Sequence, residues 1–350
     1  MFVTITVLLS IATSIVMAQP RVLVFTATTG YRHDSIPDSI SALQARSGTD
    51  GVDFEFTEDP TRFNGDELGR FDGVMFLSTT GEGVLDSSQA QAFHTYLQNG
   101  GNFVGVHAAT DCLGGEDWYV QTIGTRFDYH PELQPATFTP LNKTHPSMVG
   151  VPDRWTFTEE VYNYRSDPRD VGAQVVLTVD ESSYTGSSGS SGNYDQGVPH
   201  PIAWYITDSL GAQPPTDGAP GTGRSFYTSL GHLSETWQDP TFMGHVMGGL
   251  KWALESGTTR WTNGTALVGA VQPQNSSTSA SSSAASTMGT STASGQASTS
   301  VSGTGMATST SASAGPTSST PANSGIKDGS AVGKTAALAG AIAGIVGLML

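Results

Sequence analysis

Apolar runs of strand length alternate with amphipathic helical segments over the first hundred residues of this chain. Three runs are continuous, as expected for strands buried on both faces: 21–28, 72–80 and 101–109. A fourth run, 52–59, alternates apolar and polar residues and predicts a more exposed strand. Strand and helix in this rhythm are typical of right-handed βαβ units. We therefore predict a doubly wound α/β fold with a mostly parallel sheet.

Residues that start and stop helices support this interpretation. Ser35 and Ser87 precede helical repeats and are predicted caps, and Gly100 is a predicted stop. After about residue 134 the rhythm loosens, and runs such as "QPATFTPLN" and "QVVLTVDESS" predict inserted, partly antiparallel β structure. A last helix is predicted over 239–256, with its inner face formed by Phe242, Val246, Leu250 and Ala253.

The amino-terminal residues 1–18 are apolar and nearly uncharged, and they end in small residues before Gln19. This pattern predicts a secretory signal peptide, with a signal anchor as the alternative. The folded domain is expected over 19–260, which is long enough for one substantial α/β core.

The carboxyl-terminal quarter has a different composition. Residues 261–325 lack charge and are rich in Ser, Thr, Ala and Gly, which predicts a disordered, O-glycosylated stalk. Residues 326–350 form a polar spacer and an apolar tail, the pattern of a glycolipid (GPI) anchor signal with attachment at Asn323. The alternative is a marginal membrane helix. We expect a secreted, cell-surface protein linked to the plasma membrane or cell wall.

Charge and cysteine content narrow the classes further. The chain has 15 basic and 31 acidic residues and a formal net charge of −16, which argues against nucleic acid as a partner. Its one cysteine, Cys112, excludes an internal disulfide. Export makes three Asn-x-Ser/Thr sequons predicted glycosylation sites: Asn142, Asn263 and Asn275.

Histidines follow several of the predicted strands, at the edge where open α/β sheets bind ligands. His33 follows the first strand, His107 ends the strand "GNFVGVH", and His232 follows the last. His200 stands just before another strand. One histidine is usually structural, but several at one sheet edge predict a functional site.

Ordered blocks across the domain resemble the trehalose-utilisation (ThuA-like) family. They include "TATTGYRHDSI", "FLSTTGEGVLDSSQAQAFHTYLQNGGNFVGVHAATD", "DWYVQTIGTRFDYHP", "THPSMVGVPDRWTFTEEVYNY", "HPIAW" and "GRSFYTSLGH". The resemblance implies a flavodoxin-like sheet similar to class I glutamine amidotransferases, and a link to carbohydrate metabolism. In the amidotransferases a cysteine occupies the turn after the central strand. Here His107 occupies that turn and Cys112 lies five residues on, which argues against amide transfer or a cysteine protease.

The residue types allow proton transfer, metal binding or simple sugar recognition by the histidines. The predicted catalytic residues are His33, His107, Asp111, Glu160 and His232. A divalent transition metal is a possible cofactor, with His33, His107 and His232 as candidate ligands and Asp111 or Glu160 as the added carboxylate. The predicted substrate-binding residues are Tyr31, Arg32, Thr80, Trp118, Tyr162 and His200.

Other residues near these motifs are interpreted as structural. Glu159 is expected on a solvated strand edge, His145 in a surface turn and Trp204 in the core. Arg32 is expected to pair with a ligand oxygen, Asp34 or Asp111.

Three functions remain open from the sequence. The first is a hydrolase or isomerase acting on a carbohydrate or sugar derivative, with His107 at its centre. The second is a non-catalytic carbohydrate-binding module on the cell surface. The third is a structural surface protein with a vestigial pocket.

Overall fold

A computed structural model describes residues 19–186, 189, 192–219 and 221–257. The predicted signal peptide, stalk, anchor signal, Asn323 and the sequons at Asn263 and Asn275 lie outside the described residues. Within the described part, the strands are β1 (Arg21–Phe25), β2 (Asp53–Thr57), β3 (Gly73–Leu77), β4 (Asn102–Val106), β5 (Phe127–Tyr129), β6 (Gln134–Pro140), β7 (Trp155–Glu159), β8 (Asn163–Tyr164), β9 (Gln174–Val179), β10 (Pro201–Ile206) and β11 (Ser225–Thr228). The α-helices are α1 (Ile36–Asp50), α2 (Gly65–Leu68), α3 (Ser87–Gln98), α4 (Asp117–Ile123) and α5 (Pro240–Leu254).

Nine strands form one mixed sheet in the order β2-β1-β3-β4-β11-β10-β9-β6-β7. The first five of these pair in parallel, and β10, β9, β6 and β7 extend the sheet through antiparallel pairs. Strands β5 and β8 form a separate antiparallel pair. The predicted doubly wound sheet with inserted β structure is confirmed.

Helices cover both faces of the sheet because side chains alternate along each strand. Val22 and Val24 of β1 join a core cluster that includes Leu43 of α1 and the inner face of α5. Leu23 and Phe25 point the other way, into a second cluster that contains residues of α2, α3 and α4. All four residues predicted for the inner face of α5 are buried: Phe242, Val246, Leu250 and Ala253.

Helix boundaries differ from prediction at one cap. The cap of α3 is Asp86 rather than Ser87: the Asp86 carboxylate accepts the Ser88 and Gln89 N–H groups, and the Gln89 side chain accepts the Asp86 N–H. This capping box satisfies donors that Ser87, one residue inside the helix, cannot reach. Gly100 follows the end of α3 with φ of 89°, as a stop requires.

No helix among the described residues is long and apolar enough to cross a membrane.

The strand directions bring one set of loops together. β1, β3, β4, β7 and β11 all end at the same edge, where β6 and β10 begin, since Gln134 of β6 lies opposite Glu159 of β7. Ligand-binding sites of parallel sheets usually lie at this edge, because the loops there carry side chains from distant parts of the chain.

Candidate functional site

A cleft of about 310 Å³ opens at the carboxyl edge of the sheet. Its volume is at the small end of the range of roughly 300–1,000 Å³ that is usual for ligand sites. The cleft is lined by Tyr31, His33, Thr80, Ala108, Asp111, Phe127, His130, Glu160, Tyr162 and His232. Seven of these are predicted site residues: Tyr31, His33, Thr80, Asp111, Glu160, Tyr162 and His232.

His107 forms the buried floor beneath this cleft, directly after β4. Its φ is 56°, a left-handed conformation that is rare for a non-glycine residue and costly unless its surroundings enforce it. Its Nδ1 lies 2.7 Å from the Ser229 carbonyl oxygen. Because a carbonyl only accepts, Nδ1 must carry a hydrogen. Burial, and then the neighbouring His33, lower the pKa of His107 well below 6.5, so the neutral ring presents a lone pair on Nε2.

Four potential metal ligands surround that lone pair. One atom each from His33, His107, Glu160 and His232 lies within 4.8 Å of all the others. His107 Nε2 is 3.0 Å from His33 Nε2, 3.4 Å from His232 Nδ1 and 3.7 Å from Glu160 Oε2. His232 Nδ1 and Glu160 Oε2 are 3.0 Å apart. We call these four residues the histidine–glutamate cluster.

The cluster histidines differ in electrostatic environment. Burial, and then repulsion from His232, lower the pKa of His33 to about 4. Burial also opposes protonation of His232, but the hydrogen bond and charge of Glu160 outweigh it and raise the pKa of His232. His33 Nδ1 is buried and has no hydrogen-bond partner among the described residues. The cluster therefore combines two histidines whose neutral form is favoured, His33 and His107, with a hydrogen-bonded pair formed by His232 and Glu160.

Tyr162 contacts the histidine–glutamate cluster through its hydroxyl group, and His200 contacts its backbone. Its hydroxyl is 3.2 Å from His107 Nε2. Burial, and then the charge of Glu160, raise the pKa of Tyr162 well above 10, so the phenol stays protonated and donates. His200 Nε2 lies 2.8 Å from the Tyr162 carbonyl oxygen, and its Nδ1 is 2.6 Å from Glu181. His200, predicted to bind substrate, contacts the backbone of Tyr162 and is not part of the cleft lining.

Glu159 is fully buried, which contradicts the expected solvated strand edge. Its carboxylate accepts the Glu160 N–H at 2.9 Å and the Gly231 N–H at 2.8 Å. Burial raises its pKa to about 7, against the opposing effect of these hydrogen bonds. Alternation along β7 places Glu159 on the face that Trp155 and Phe157 also share, so period-2 counting from those aromatics would have indicated burial.

The remaining rim residues have separate positions. Tyr31 is 63% exposed at the cleft edge, with its ring centroid 4.7 Å from that of His33. The Thr80 hydroxyl donates to the Tyr31 carbonyl at 2.7 Å and so secures this loop. Asp111 lies on the cleft wall with part of its side chain exposed to solvent. Loss of water around the rest of its side chain, and then the charge of Glu82, raise its pKa. Arg32 pairs with Glu58 at 2.7 Å, rather than with Asp34 or Asp111 as expected.

Two other residues lie away from the cleft lining. Trp118 belongs to α4, a helix that the sequence interpretation missed, where it stacks on His94 with centroids 4.7 Å apart. Cys112 is buried, and desolvation raises its pKa, which agrees with its exclusion as a nucleophile.

His145 is buried rather than part of an exposed turn, because its ring stacks on Tyr205 at 4.5 Å and lies against Trp252. Trp204 is in the core, as predicted.

His130 is a site residue that sequence reasoning missed. Its Nε2 lies 3.4 Å from Glu160 Oε1, and its ring stacks on Tyr162. It precedes β6, which begins at the same edge at which the parallel strands end. The sequence feature that could have indicated His130 was its "HP" pair, but only the antiparallel direction of β6 brings His130 to the cleft.

A sequence profile of one protein family, described as ThuA, trehalose utilisation, matches residues 21–253. The chain belongs to the ThuA family. Among solved structures, this ThuA-family chain is similar to a ThuA-like protein from Bacteroides uniformis ATCC 8492, with 19% identity, a TM-score of 0.53, and coverage of 70% of this chain and 95% of that one. A ThuA-like protein from Parabacteroides merdae ATCC 43184 shares 17% identity, with a TM-score of 0.51 and coverage of 71% and 97%. No curated protein matched.

Proposed function

We propose that this ThuA-family protein is a metal-dependent enzyme that hydrolyses or isomerises a carbohydrate or sugar derivative. The observation that carries the proposal is the convergence of three imidazole nitrogens and one carboxylate oxygen at the floor of an open cleft. The carbohydrate class rests on membership of a family described by trehalose utilisation.

The geometry of the histidine–glutamate cluster suits a divalent transition metal. Bonds of about 2.0 Å to a tetrahedral zinc ion put the ligand atoms roughly 3.3 Å apart. The four separations given above run from 3.0 to 3.7 Å. Imidazole with one carboxylate is a donor set that zinc and related metals accept. The Ser229 carbonyl, which orients His107 through Nδ1, is a typical support for a metal-ligating histidine.

A metal in this position would polarise a carbonyl or hydroxyl oxygen of the substrate. Around it, the protonated Tyr162 hydroxyl can donate a hydrogen bond to developing negative charge. Asp111 and His130, both on the cleft wall, are placed to exchange protons with substrate hydroxyls. The exposed ring of Tyr31 offers a flat apolar surface to a sugar ring.

The deciding experiment measures metal content and turnover together. The purified protein is analysed for transition metals before and after a chelator, alongside His107→Ala and the matched buried-histidine variant His245→Ala. We expect about one equivalent of metal in the wild type and in His245→Ala, and none in His107→Ala. Turnover of a panel of sugars, trehalose included, should follow the metal. A wild-type protein that takes up no transition metal when loaded with Zn²⁺ or Mn²⁺ would contradict the proposal.

A second candidate is carbohydrate binding without turnover, which the open cleft with its exposed Tyr31 favours. Glycan-array binding that saturates, with no product formed in the presence of metal, would select this alternative. Any metal-dependent product would exclude it.

We further propose that the protein acts outside the cell, anchored by a glycolipid. Support comes from the sequence alone: the apolar segment 1–18, the uncharged Ser/Thr-rich segment 261–325 and the small residues near Asn323 before the apolar tail. Phospholipase C release of the protein from intact cells would agree with this setting, and retention in the cytoplasm would contradict it.

A further inference from the structure

We propose that the buried carboxylate of Glu159 is a positioning group that holds Glu160 and His232 in register with each other. The inference deepens the proposed function, since both residues belong to the histidine–glutamate cluster. It does not depend on a metal being bound, because it concerns the backbone that carries the two side chains.

The contacts of Glu159 are divided between two separate segments of chain. Oε1 accepts the N–H of Glu160 at 2.9 Å, and Oε2 accepts the N–H of Gly231 at 2.8 Å. The N–H of His232 lies 3.3 Å from both oxygens. One carboxylate thus connects the end of β7 to the loop after β11, which are 72 residues apart in sequence.

The backbone carbonyl of Gly231 is also fixed by hydrogen bonds. Its carbonyl oxygen accepts the Trp237 indole N–H at 3.0 Å and the Ser35 hydroxyl at 3.4 Å. Gly231 has φ of 123°, a conformation that favours glycine, so the loop can turn His232 toward the cleft. Glu159 supplies the matching contact on the N–H side.

A buried carboxylate is costly unless its lone pairs are satisfied. Peptide N–H groups satisfy Glu159, and among the described residues no lysine or arginine side chain pairs with its oxygens. A hydrophobic residue of similar volume would leave these peptide N–H groups without an acceptor. The arrangement makes sense for placing two functional side chains, whose Nδ1 and Oε2 atoms meet at 3.0 Å.

Glutamine is the informative substitution because it keeps the shape of the side chain. Its single carbonyl oxygen can accept at one end, and its NH₂ group would then face a peptide N–H at the other. Glu159→Gln therefore cannot preserve the contacts to both Glu160 and Gly231. The matched control is Ser225→Ala, which removes a buried hydrogen bond to the Thr122 carbonyl at the opposite end of β11.

Two readouts on the full-length protein test the inference. The first is amide hydrogen exchange in the metal-free state: Gly231 or Glu160 should exchange more than about tenfold faster in Glu159→Gln, as expected for loss of one hydrogen bond. The second is Zn²⁺ affinity by titration calorimetry, which should fall by about 10–100-fold, the usual cost of losing an outer-shell partner. Ser225→Ala should leave both unchanged.

The outcomes separate this inference from the proposed function. The positioning role is overturned if a folded Glu159→Gln protein protects these amides as well as the wild type does. It is also overturned if that variant binds Zn²⁺ as tightly as the wild type. If the wild type binds no Zn²⁺ while the Gly231 or Glu160 amide exchanges faster in Glu159→Gln, the metal proposal fails and the positioning role stands. If Glu159→Gln does not fold, Glu159→Asp, which keeps the charge but shortens the reach, is measured in the same way with the same expected changes.

Discussion

Two groups of histidines in this molecule can be compared, and only one of them resembles a functional site. The cleft histidines are His33, His107 and His232, at the carboxyl edge of the sheet. The core histidines are His245, on the buried face of α5, and His145, which packs against Trp252 of the same helix. His245 Nδ1 lies 3.0 Å from the Ser147 carbonyl, and His145 Nδ1 lies 2.8 Å from the Ser147 hydroxyl.

Burial lowers the pKa of both core histidines to about 4, as it does for His33. A lowered pKa therefore does not identify a site. Among the described residues, the metal-competent group contains the cleft histidines and Glu160, and neither core histidine belongs to it. What distinguishes the cleft is the convergence of lone pairs and a carboxylate on an open space. The core rings instead lie against aromatic side chains.

The largest expected contrast comes from paired alanine substitutions. His232→Ala should weaken Zn²⁺ binding by more than about 100-fold, because even an outer-shell partner is worth 10–100-fold. His145→Ala should leave Zn²⁺ affinity within about threefold and lower the midpoint of urea unfolding instead. Calorimetric titration and urea denaturation of both variants make the comparison. Equal loss of metal in the two proteins would erase the distinction between the regions.

The next contrast concerns acid stability. The pKa of His245 is about 4 in the folded protein and about 6.5 when unfolded, so the unfolded chain binds the proton first as pH falls. The stability that neutral His245 contributes is present above pH 6.5 and is lost between about 6.5 and 4, on the order of 3 kcal/mol. His245→Asn, which can still donate to Ser147, should flatten this decline in urea unfolding measured across that pH window. An unchanged slope would rule out His245 as its source.

A smaller effect is expected at the cleft rim. Tyr31→Ala should weaken sugar binding or raise KM by about 3–10-fold, the worth of one aromatic contact, without altering metal content. Tyr31→Phe is the matched control and should bind like the wild type if the ring face makes the contact. Equal affinity for all three proteins would remove Tyr31 from the binding surface.

The smallest effect is expected at Trp118. Trp118→Phe removes a hydrogen bond to Glu116 and part of the packing on α3, so stability should fall by about 1 kcal/mol. Sugar KM should change less than twofold, because Trp118 is not part of the cleft lining. A larger change in KM would restore Trp118 as a substrate-binding residue.

Much of the fold could be predicted from local pattern. The strand Asn102–Val106 and the inner face of α5 follow from apolar runs and helical spacing, which reflect which side chains must leave water. Helix α4 was missed because its seven residues carry no strong periodic signal. The cap at Asp86 was misplaced by one residue, since several polar residues in a row compete for that role.

The sequence by itself determined the alternation of strands and helices, the family and the cleft histidines, because hydrophobic periodicity and strand order already assign residues to a sheet edge. Only the tertiary structure decided the positions of Glu159 and His130. Glu159 and Glu160 are adjacent in sequence, yet one is buried against backbone N–H groups and the other faces the cleft. Alternation along β7 is a local pattern that points Glu159 inward, but its hydrogen bonds to Gly231 and His232 join β7 to the loop after β11, and no local pattern encodes that contact between distant parts of the chain.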